Sequence, residues 1–282
     1  MGTVKRGCGI VGIKRSTYYY KPKGESPPDI ELAEAIEKIA LDYPSYGYRR
    51  ITAQLHRQGL KVNHKRVLRF MKDKNLLCRA RKAFKATTDS YHSLKKYPNL
   101  IEDFVPYRID QVWHADITYI RIATSFVYLS ALIDGFSRKV VGYGLGRTLS
   151  ADLAMAALLD AISKRNIEDL IHHSDQGIQY CSYDYVRILK DHGIVISMSG
   201  KANPYDNAKI ESFFRTLKVE EVYMFEYETY REVLERIPYF IEEVYNRKRL
   251  HSSLGYMPPE EFENINNKKM KGNESHQLIL IS

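Results

Sequence analysis

Residues 113–146 constrain the fold more than any other part of this chain. Three segments rich in Val, Ile, Tyr and Thr follow one another there, at Trp113–Ile122, Phe126–Ile133 and Lys139–Gly146. Only the short turns Ala123–Ser125 and Asp134–Ser137 separate them, and such segments between turn residues are typical of β-strands. Neighbouring strands joined by short turns pair antiparallel. The sequence therefore predicts a three-stranded antiparallel meander.

Helices and single strands alternate after this meander. Apolar residues at helical spacing mark Ala151–Lys164, Tyr183–His192 and Asp206–Val222, and short apolar runs mark strands at Leu170–Ser174 and Ile194–Ser197. Strands that alternate with helices form parallel pairs covered by those helices. The predicted fold class is α/β, with a mixed five-stranded sheet flanked by helices.

The first hundred residues differ from the rest in charge. They hold 22 Lys and Arg against 8 Asp and Glu, a net charge of +14. Residues 101–282 hold 21 against 26, a net charge of −5. A basic segment before a mildly acidic one favours a polyanion-binding module attached to a second domain, and the alternative is a solvated basic surface without a partner.

Helical patterns in this basic part predict a small all-α helix-turn-helix domain. Asp29 begins a helix to about Leu41, a second helix stops at Gly59, and Asn63 caps a third that ends near Lys74. Two short helices separated by a tight turn define the helix-turn-helix, whose last helix enters the major groove of DNA. A helical bundle with a basic face is the alternative. The residues expected to contact DNA here are Arg49, Arg50, Lys65, Arg66 and Arg69.

Three carboxylates occupy special places in the predicted core. Asp116 lies in the middle of the first strand, Asp175 follows the strand Leu170–Ser174, and Glu211 lies on the helix after it, with 35 residues between the last two acids. A buried charge in a strand is costly unless it is paired or bound to metal. The end of a parallel strand is where ligands gather in α/β sheets. We therefore expect Asp116, Asp175 and Glu211 to converge.

Converging carboxylates repel one another, and a hard divalent cation relieves that repulsion. Oxygen ligands with incomplete protein coordination favour Mg²⁺ or Mn²⁺. Two such ions about 4 Å apart support phosphoryl transfer. The sequence thus predicts a two-metal site, with Asp116 bridging the ions and Asp175 and Glu211 each on one side.

Two basic residues follow Glu211 at helical spacing. Arg215 is four and Lys218 seven residues further along, so all three share a helix face. We predict that Lys218 positions DNA beside the metal site. Arg215 either contacts DNA or forms an ordinary surface pair with Glu211.

Several blocks of residues together resemble the second reading frame (OrfB type) of the IS-three family of bacterial insertion-sequence transposases, which have a retroviral-integrase-like DDE catalytic core. The blocks are Tyr46-Gly47-x-Arg49-Arg50-Ile51, Trp113-x-x-Asp116-Ile117-Thr118-Tyr119-Ile120, Ala131-x-Ile133-Asp134-x-Phe136-Ser137-Arg138, His173-Ser174-Asp175-Gln176-Gly177-x-Gln179-Tyr180, Asn207-Ala208-x-x-Glu211-Ser212-Phe213-Phe214 and Tyr245-Asn246-x-x-Arg249-x-His251-x-x-Leu254-Gly255-Tyr256-x-Pro258. The resemblance covers about residues 10–262. Ala115 stands where the family often has Thr.

The resemblance implies a ribonuclease H-like core whose metal-binding triad is Asp116, Asp175 and Glu211, and Lys218 matches a basic position after the family's Glu. It implies Mg²⁺-dependent cleavage and strand transfer of double-stranded DNA at the terminal inverted repeats of an insertion sequence and at its target. It also implies a homo-oligomer on DNA. In the family an upstream segment with its own helix-turn-helix and a coiled coil is fused by frameshifting, so an OrfA-type partner or fusion is expected.

The domain organisation follows from these patterns. We expect a basic N-terminal segment and linker (1–28), the helix-turn-helix-like domain (29–78), a basic linker (79–108), the integrase-like core (109–263) and a loose C-terminal tail (264–282). No apolar run approaches the roughly 18 residues of a membrane span, and three cysteines without a CxxC pair argue against a disulfide framework. The expected location is the bacterial cytoplasm, in association with the nucleoid.

Other readings remain open. A DNA-binding regulator, or an inactive fragment that needs the upstream segment, would occupy DNA without cutting it, and a structure-specific nuclease would cut junctions. We expect Asp134 to be structural, because Asp-Gly is ordinary turn chemistry, and at most one of His172 and His173 to face the site. Asn246, Arg249 and His251 could contact DNA or cap helices. Tyr119 and Tyr205 are candidate DNA contacts.

Overall fold

The computed structural model describes residues 3–19, 27–78, 94–200 and 207–268. The chain divides into two compact units, residues 1–78 and 79–282. Residues 79–93 of the predicted linker (79–108) and the candidate DNA contact Tyr205 lie outside the described residues.

The first unit is helical. Its helices are α1 (Thr3–Val11), α2 (Arg15–Tyr18), α3 (Pro27–Asp42), α4 (Tyr48–Arg57) and α5 (His64–Asp73). The last three pack around buried apolar side chains that include Ile36, Ile51, Leu55, Val67 and Met71.

Local sequence signals explain the ends of these helices. Gly59 sits between α4 and α5 with a φ of +87°, which glycine adopts readily. Asn63 caps α5 as predicted, because its Oδ1 accepts a hydrogen bond from the Lys65 N–H at 2.9 Å. The prediction that Asp29 begins α3 is wrong. That helix starts at Pro27, and Asp29 lies in its first turn and forms an ion pair with Arg66.

The second unit is built on a five-stranded sheet in the order β3-β2-β1-β4-β5. The strands are β1 (Val112–Arg121), β2 (Phe126–Asp134), β3 (Val140–Gly146), β4 (Ile171–Ser174) and β5 (Val195–Met198). The first three pair antiparallel, and β4 is parallel to β1 and β5. The predicted mixed sheet, with a meander followed by parallel strands, is therefore confirmed.

Helices cover both faces of this sheet. They are α6 (Ala151–Lys164), α7 (Ile178–Cys181), α8 (Tyr183–Asp191), α9 (Ala208–Leu217), α10 (Tyr230–Tyr239) and α11 (259–268). One core contains Trp113 and Leu132 with α6, α7 and α8, and the other contains Ile120 and Leu129 with α9 and α10. Gly142 permits close approach of β3 and α6, since a Cβ there would lie 2.5 Å from the Ala157 carbonyl oxygen.

The long helix predicted over Asp206–Val222 is divided, and so is the helix that follows it. Helix α9 ends at Leu217 and continues as the first π segment (Lys218–Val222), and α10 continues as the second π segment (Phe240–Asn246). Short π turns inside helices occur often at functional sites. A 3₁₀ turn follows at Ser252–Leu254. Helix α11 extends beyond residue 264, where the loose tail was predicted to begin, and residues 269–282 lie outside the described part.

Ser150 takes the predicted N-cap position of α6, but its side chain makes no capping hydrogen bond. Within the described residues, no helix is both long and apolar enough to cross a membrane.

Candidate active site

The first two predicted acids lie at corresponding positions, Asp116 on β1 and Asp175 directly after the neighbouring strand β4. In the parallel pair of β1 and β4, His114 lies opposite His173. Asp116 and Asp175 each follow two residues later, and alternate residues of a strand point to the same face. The sheet therefore brings these carboxylates towards one another.

Helix α9 supplies the third acid, and the charges of all three interact. Burial raises the pKa of Asp116 to about 8, and the negative charges of Asp175 and Glu211 contribute to that rise. The Ile117 N–H, which donates to Asp116 Oδ1 at 2.7 Å, and the Lys218 ammonium lower the pKa but do not offset the burial and the two acids. The protein thus places two further carboxyl groups near enough to Asp116 for their charges to act on it.

This donor set has the chemistry that a hard divalent cation requires, because oxygen ligands carry excess negative charge. Asp116 is partly buried, while Glu211 is exposed in the first turn of α9. Within the described residues, no three His, Cys, Asp or Glu side chains are grouped closely enough to hold a metal ion. The three carboxylates therefore match a divalent cation in ligand type and in charge, but they do not form a closed coordination shell.

The loop after β4 holds Asp175 in a defined rotamer. Its Oδ1 accepts a hydrogen bond from the Gly177 N–H at 2.8 Å, and Gln176 Nε2 donates to the Ser199 carbonyl at 3.0 Å. A Cβ on residue 177 would lie 2.8 Å from that same Oδ1. Glycine is therefore needed for the backbone to approach the carboxylate this closely.

Lys218 opens the first π segment next to the acids. Its Nζ lies 4.8 Å from the centre of the Tyr119 ring. Burial lowers the pKa of Lys218, and the charge of Asp116 opposes that change. Arg215 is exposed, and no ion pair joins it to Glu211 among the described residues. The helix that carries Glu211 thus changes from α to π geometry at Lys218. At that position the charge of Lys218 interacts with the charge of Asp116.

Two buried acids anchor this π segment. Arg249 donates two hydrogen bonds of 2.7 Å to the Glu220 carboxylate. The two side chains are nearly buried, at 5% and 13% exposure. Glu221 accepts from Arg236 at 2.8 Å and from the Tyr227 hydroxyl at 2.7 Å. A fork of this kind fixes geometry as well as charge. Arg249 therefore holds the turn that carries Lys218.

The other residues of the motif Tyr245–Pro258, to which Arg249 belongs, also have structural contacts. Asn246 is fully buried, and its side-chain amide accepts a hydrogen bond from the Val140 N–H and donates one to the Val140 carbonyl, both at 3.0 Å. The side chain thus takes the place of a neighbouring strand at the edge of β3. His251 packs against the Tyr245 ring at 4.8 Å between centroids. Asp134 accepts from the backbone N–H of Asp110, Phe136 and Ser137, in the turn role expected of it.

A row of buried histidines lies beneath the acids. His172 faces α8, where Nε2 lies 2.8 Å from the Tyr185 hydroxyl, and His173 faces the opposite side, with Nδ1 2.9 Å from Ser197 Oγ. His173 also packs against His114, at 5.7 Å between centroids. The two neighbours do point to opposite faces, as alternation predicts. Lys209, which we did not predict, lies near this row, and burial lowers its pKa to about 8.

In the first unit, α5 presents the predicted basic face. Lys65 and Arg69 are exposed, opposite the buried Val67 and Met71. Arg66 is engaged with Asp29 instead. In α4, the Arg49 Nε donates to the Tyr48 hydroxyl at 3.1 Å and the Arg50 guanidinium lies 5.5 Å from the Tyr46 ring.

Family models match most of the described chain. Two models described as "Integrase core domain" match residues 106–204 and 192–259. A model described as "HTH-like domain" matches residues 28–84. Together they cover both compact units.

Curated relatives match over nearly the full length. The chain is 40% identical over 274 residues to the transposase InsF for insertion sequence IS3A of Escherichia coli K12, covering 94% of this chain and 95% of that protein. It is 39% identical over 239 residues to the transposase for insertion sequence element IS904 of Lactococcus lactis, covering 83% and 94%. It is 37% identical over 262 residues to an uncharacterized 31 kDa protein of insertion element IS600 of Shigella sonnei, covering 90% and 96%.

Solved structures show weaker likeness. A simian T-cell lymphotropic virus intasome chain aligns with a TM-score of 0.47 at 15% identity, over 82% of this chain and 74% of that one. The catalytic core of BIV integrase aligns with a TM-score of 0.44 at 20% identity, over 57% and 99%.

The family models and the full-length relatives agree with each other and with the sheet described above. They confirm the transposase resemblance and the ribonuclease H-like fold of the second unit, and they imply an enzyme that transfers polynucleotide strands. The chain belongs to the IS3 family of insertion-sequence transposases, with an integrase core domain and an HTH-like domain.

Proposed function

We propose that this transposase is of the DDE type and that Asp116, Asp175 and Glu211 hold two divalent ions, Mg²⁺ or Mn²⁺, for cleavage and strand transfer at the ends of its insertion sequence. The observation that supports this most directly is the register of β1 and β4, in which Asp116 and Asp175 each come two residues after the paired His114 and His173; the charges of Asp175 and Glu211 also act on Asp116. Such a site is unfavourable by itself and becomes favourable with cations.

The chemistry is an in-line substitution at phosphorus. The attacking oxygen, from water in cleavage and from the freed 3′-hydroxyl in strand transfer, forms a bond to phosphorus while the bond to the leaving 3′ oxygen breaks and that oxygen takes up a proton. When bound, two divalent ions activate the nucleophile and stabilise the leaving oxygen. The protein's own part is to hold the ligands: β1 and β4 set Asp116 and Asp175 side by side, and Gly177 keeps Asp175 in place.

DNA contacts complete the proposal. Lys218 holds a phosphate beside the scissile bond, and the exposed Arg215 lies on the same helix. The basic face of α5, with Lys65 and Arg69, enters the major groove, while Arg49, Arg50 and the paired Arg66 contribute charge at its edge. We place this action on inverted repeats and target DNA at the nucleoid in the cytoplasm. The enzyme acts as a homo-oligomer, with an OrfA-type partner or fusion.

The first experiment compares the protein with its Asp116→Asn variant. At pH 7 the metal-free protein must either protonate Asp116 or keep its negative charge, whereas asparagine is neutral. The melting temperature of the variant in EDTA should therefore be several degrees higher than that of the original protein. Mn²⁺ should raise the melting temperature of the original protein and not of the variant, because ligands stabilise the state that binds them. The variant should also fail to cut labelled insertion-sequence ends. Asp191→Asn, an exposed acid on α8, is the control and should behave as the original protein.

A second candidate function is a DNA-binding regulator that does not cut. The basic face of α5, with the exposed Lys65 and Arg69, would serve such a regulator as well as it would serve a transposase. The same experiment separates the two functions. DNA binding with no Mn²⁺-dependent rise in melting temperature and no cleavage would establish the regulator and contradict the DDE assignment.

A further inference from the structure

An aromatic surface lies beside the proposed metal site. Tyr119 on β1 and Phe126 on β2 meet edge to face, with ring centroids 5.4 Å apart and planes at 84°. The Lys218 ammonium lies 4.8 Å from the centre of the Tyr119 ring. Phe126, the first residue of β2, remains 45% exposed. We refer to Tyr119, Phe126 and Lys218 as the aromatic platform.

The platform is close to the acids. Tyr119 follows Asp116 by three residues on β1, about 10 Å along the strand, so the two side chains leave opposite faces of the strand, and Lys218 is the residue that relates them. Lys218 joins the two, since the charge of Asp116 acts on it while its Nζ lies over Tyr119. A nucleotide bound next to a phosphate at the metal site would therefore reach the platform.

Positive charge and a cleft surround the two rings. Arg121 is exposed at the end of β1. Beside Phe126 opens a cleft of about 450 Å³, lined also by Tyr128 and Arg147. The Arg147 guanidinium lies 4.6 Å from the Tyr230 ring on the far wall. These positive side chains favour a polyanionic ligand over an apolar peptide. The aromatic rings favour a ligand with flat apolar groups.

The ligand that combines these properties is single-stranded DNA. A base stacked on an aromatic side chain contributes about 1–3 kcal/mol, and the neighbouring phosphate is held by Lys or Arg. A base inside a duplex has both faces covered by its neighbours and a terminal pair exposes only one, so an unpaired base is freer to stack on a protein ring. The platform therefore suits an opened DNA end rather than intact duplex.

We propose that the aromatic platform stacks an unpaired nucleobase of the DNA end adjacent to the cut, and so selects ends that have opened. This inference rests on the proposed function, because it takes the bound DNA to lie at Asp116. Tyr119 and Phe126 act as positioning residues, and they select frayed over paired ends.

The test uses the full chain and two short duplexes of the same sequence, one blunt and one with three unpaired terminal nucleotides. 2-Aminopurine at the terminal unpaired position reports stacking through loss of fluorescence, and Ca²⁺ replaces Mg²⁺ so that binding is measured without cleavage. We expect the original protein to bind the frayed end at least five-fold more tightly and to quench the probe. Tyr119→Ala and Phe126→Ala should each lower that preference about five-fold or more, and Tyr119→Phe should retain it, since the ring is kept.

Tyr239→Ala is the matched control, because Tyr239 also carries a lysine over its ring, with Lys248 Nζ at 5.8 Å, but lies outside the platform. It should keep the preference for frayed ends. If Tyr119→Ala and Phe126→Ala keep the preference and the quenching, the platform has no such role. If the original protein cuts ends but binds frayed and blunt DNA alike, the platform proposal is wrong and the proposed function stands. A protein that neither binds nor cuts DNA contradicts both.

Discussion

At the scale of single residues, the site depends on one glycine. Asp175 Oδ1 lies 2.8 Å from the Gly177 N–H and would lie 2.8 Å from a Cβ at that position, so Gly177→Ala must push the carboxylate away. We expect cleavage to fall at least ten-fold, because about 1 Å of misplacement can reduce a rate by up to a hundred-fold. The free energy of unfolding should change by less than ~1 kcal/mol, since a flexible side chain gives way.

The comparison for Gly177→Ala is Gly200→Ala. A Cβ at Gly200 would meet no heavy atom within 4 Å. Chemical denaturation and a cleavage assay on both variants make the measurement. Equal activity of the two variants would show that the rotamer of Asp175 does not matter.

A second residue-scale prediction concerns acid stability. Burial, with a smaller effect from the charge of His173, lowers the pKa of His172 to about 3. An unfolded histidine titrates near pH 6.5, so below that pH the unfolded chain gains a proton that the folded chain refuses, and stability is lost as the pH falls from 6.5 towards 3.

The variant His172→Phe should remove this loss. Between pH 6.5 and 5 we expect the free energy of unfolding of the original protein to fall more steeply than that of the variant, by up to ~1.4 kcal/mol per pH unit. Urea midpoints across this range provide the measurement. The exposed His192 offers a control, as His192→Asn should keep the original slope. Parallel curves for His172→Phe and the original protein would exclude His172 as the acid-sensitive group.

At the scale of elements, the first π segment depends on one buried ion pair. Arg249→Ala leaves Glu220 without its guanidinium partner at 13% exposure, and breaking a buried pair destabilises by about 3–5 kcal/mol. The turn that carries Lys218 should then shift, so cleavage should also fall. Arg249→Lys should be only a partial substitute, because an ammonium cannot form the fork.

An exposed pair gives the contrast for Arg249. Arg231 and Glu235 are 87% and 62% exposed, so Arg231→Ala should change stability by less than ~1 kcal/mol. Thermal melting and cleavage are measured for each variant. Normal cleavage by a folded Arg249→Ala protein would show that Lys218 is positioned by other contacts.

The β3 edge is held in a comparable way by a side chain instead of a strand. Asn246 pairs with both backbone groups of Val140, and both amide atoms are needed. Asn246 therefore has a structural role, where the sequence alone leaves DNA contact and helix capping as alternatives. Its role is to attach the second π segment to the sheet.

At the scale of the whole molecule, positive charge is concentrated in the first part of the chain. The first hundred residues carry +14 and the rest −5. Binding of the full chain to duplex DNA should weaken steeply between about 50 and 200 mM salt, because cations on the DNA are released on binding. Lys65→Ala and Arg69→Ala should each reduce the slope of log affinity against log salt by about 1.

The position of each cation should decide the size of its effect. Arg66→Ala should have a smaller effect than Arg69→Ala, since Arg66 is already paired with Asp29. Lys38→Ala, on the exposed side of α3 in the same unit, should leave the slope unchanged. Fluorescence anisotropy over a salt series makes the measurement. A flat salt dependence of the original protein would contradict the electrostatic account.

The sequence by itself determined the order of strands and helices along the chain, the turns of the meander and the element to which each of the three acids belongs, because these depend on local periodicity and on short connections. Alternation in β1 and the end of β4 put Asp116 and Asp175 where the sheet has them. The division of the last long helices into α and π parts was not predictable, since the apolar spacing continues across Lys218 and Phe240 unchanged. The partners of Arg66 and Arg249 lie 37 and 29 residues away in the chain. Only tertiary packing decided that Arg66 pairs with Asp29, that Arg249 holds the turn of Lys218 and that Lys218 lies over Tyr119. Contacts between residues far apart in the chain leave no periodic pattern in the sequence.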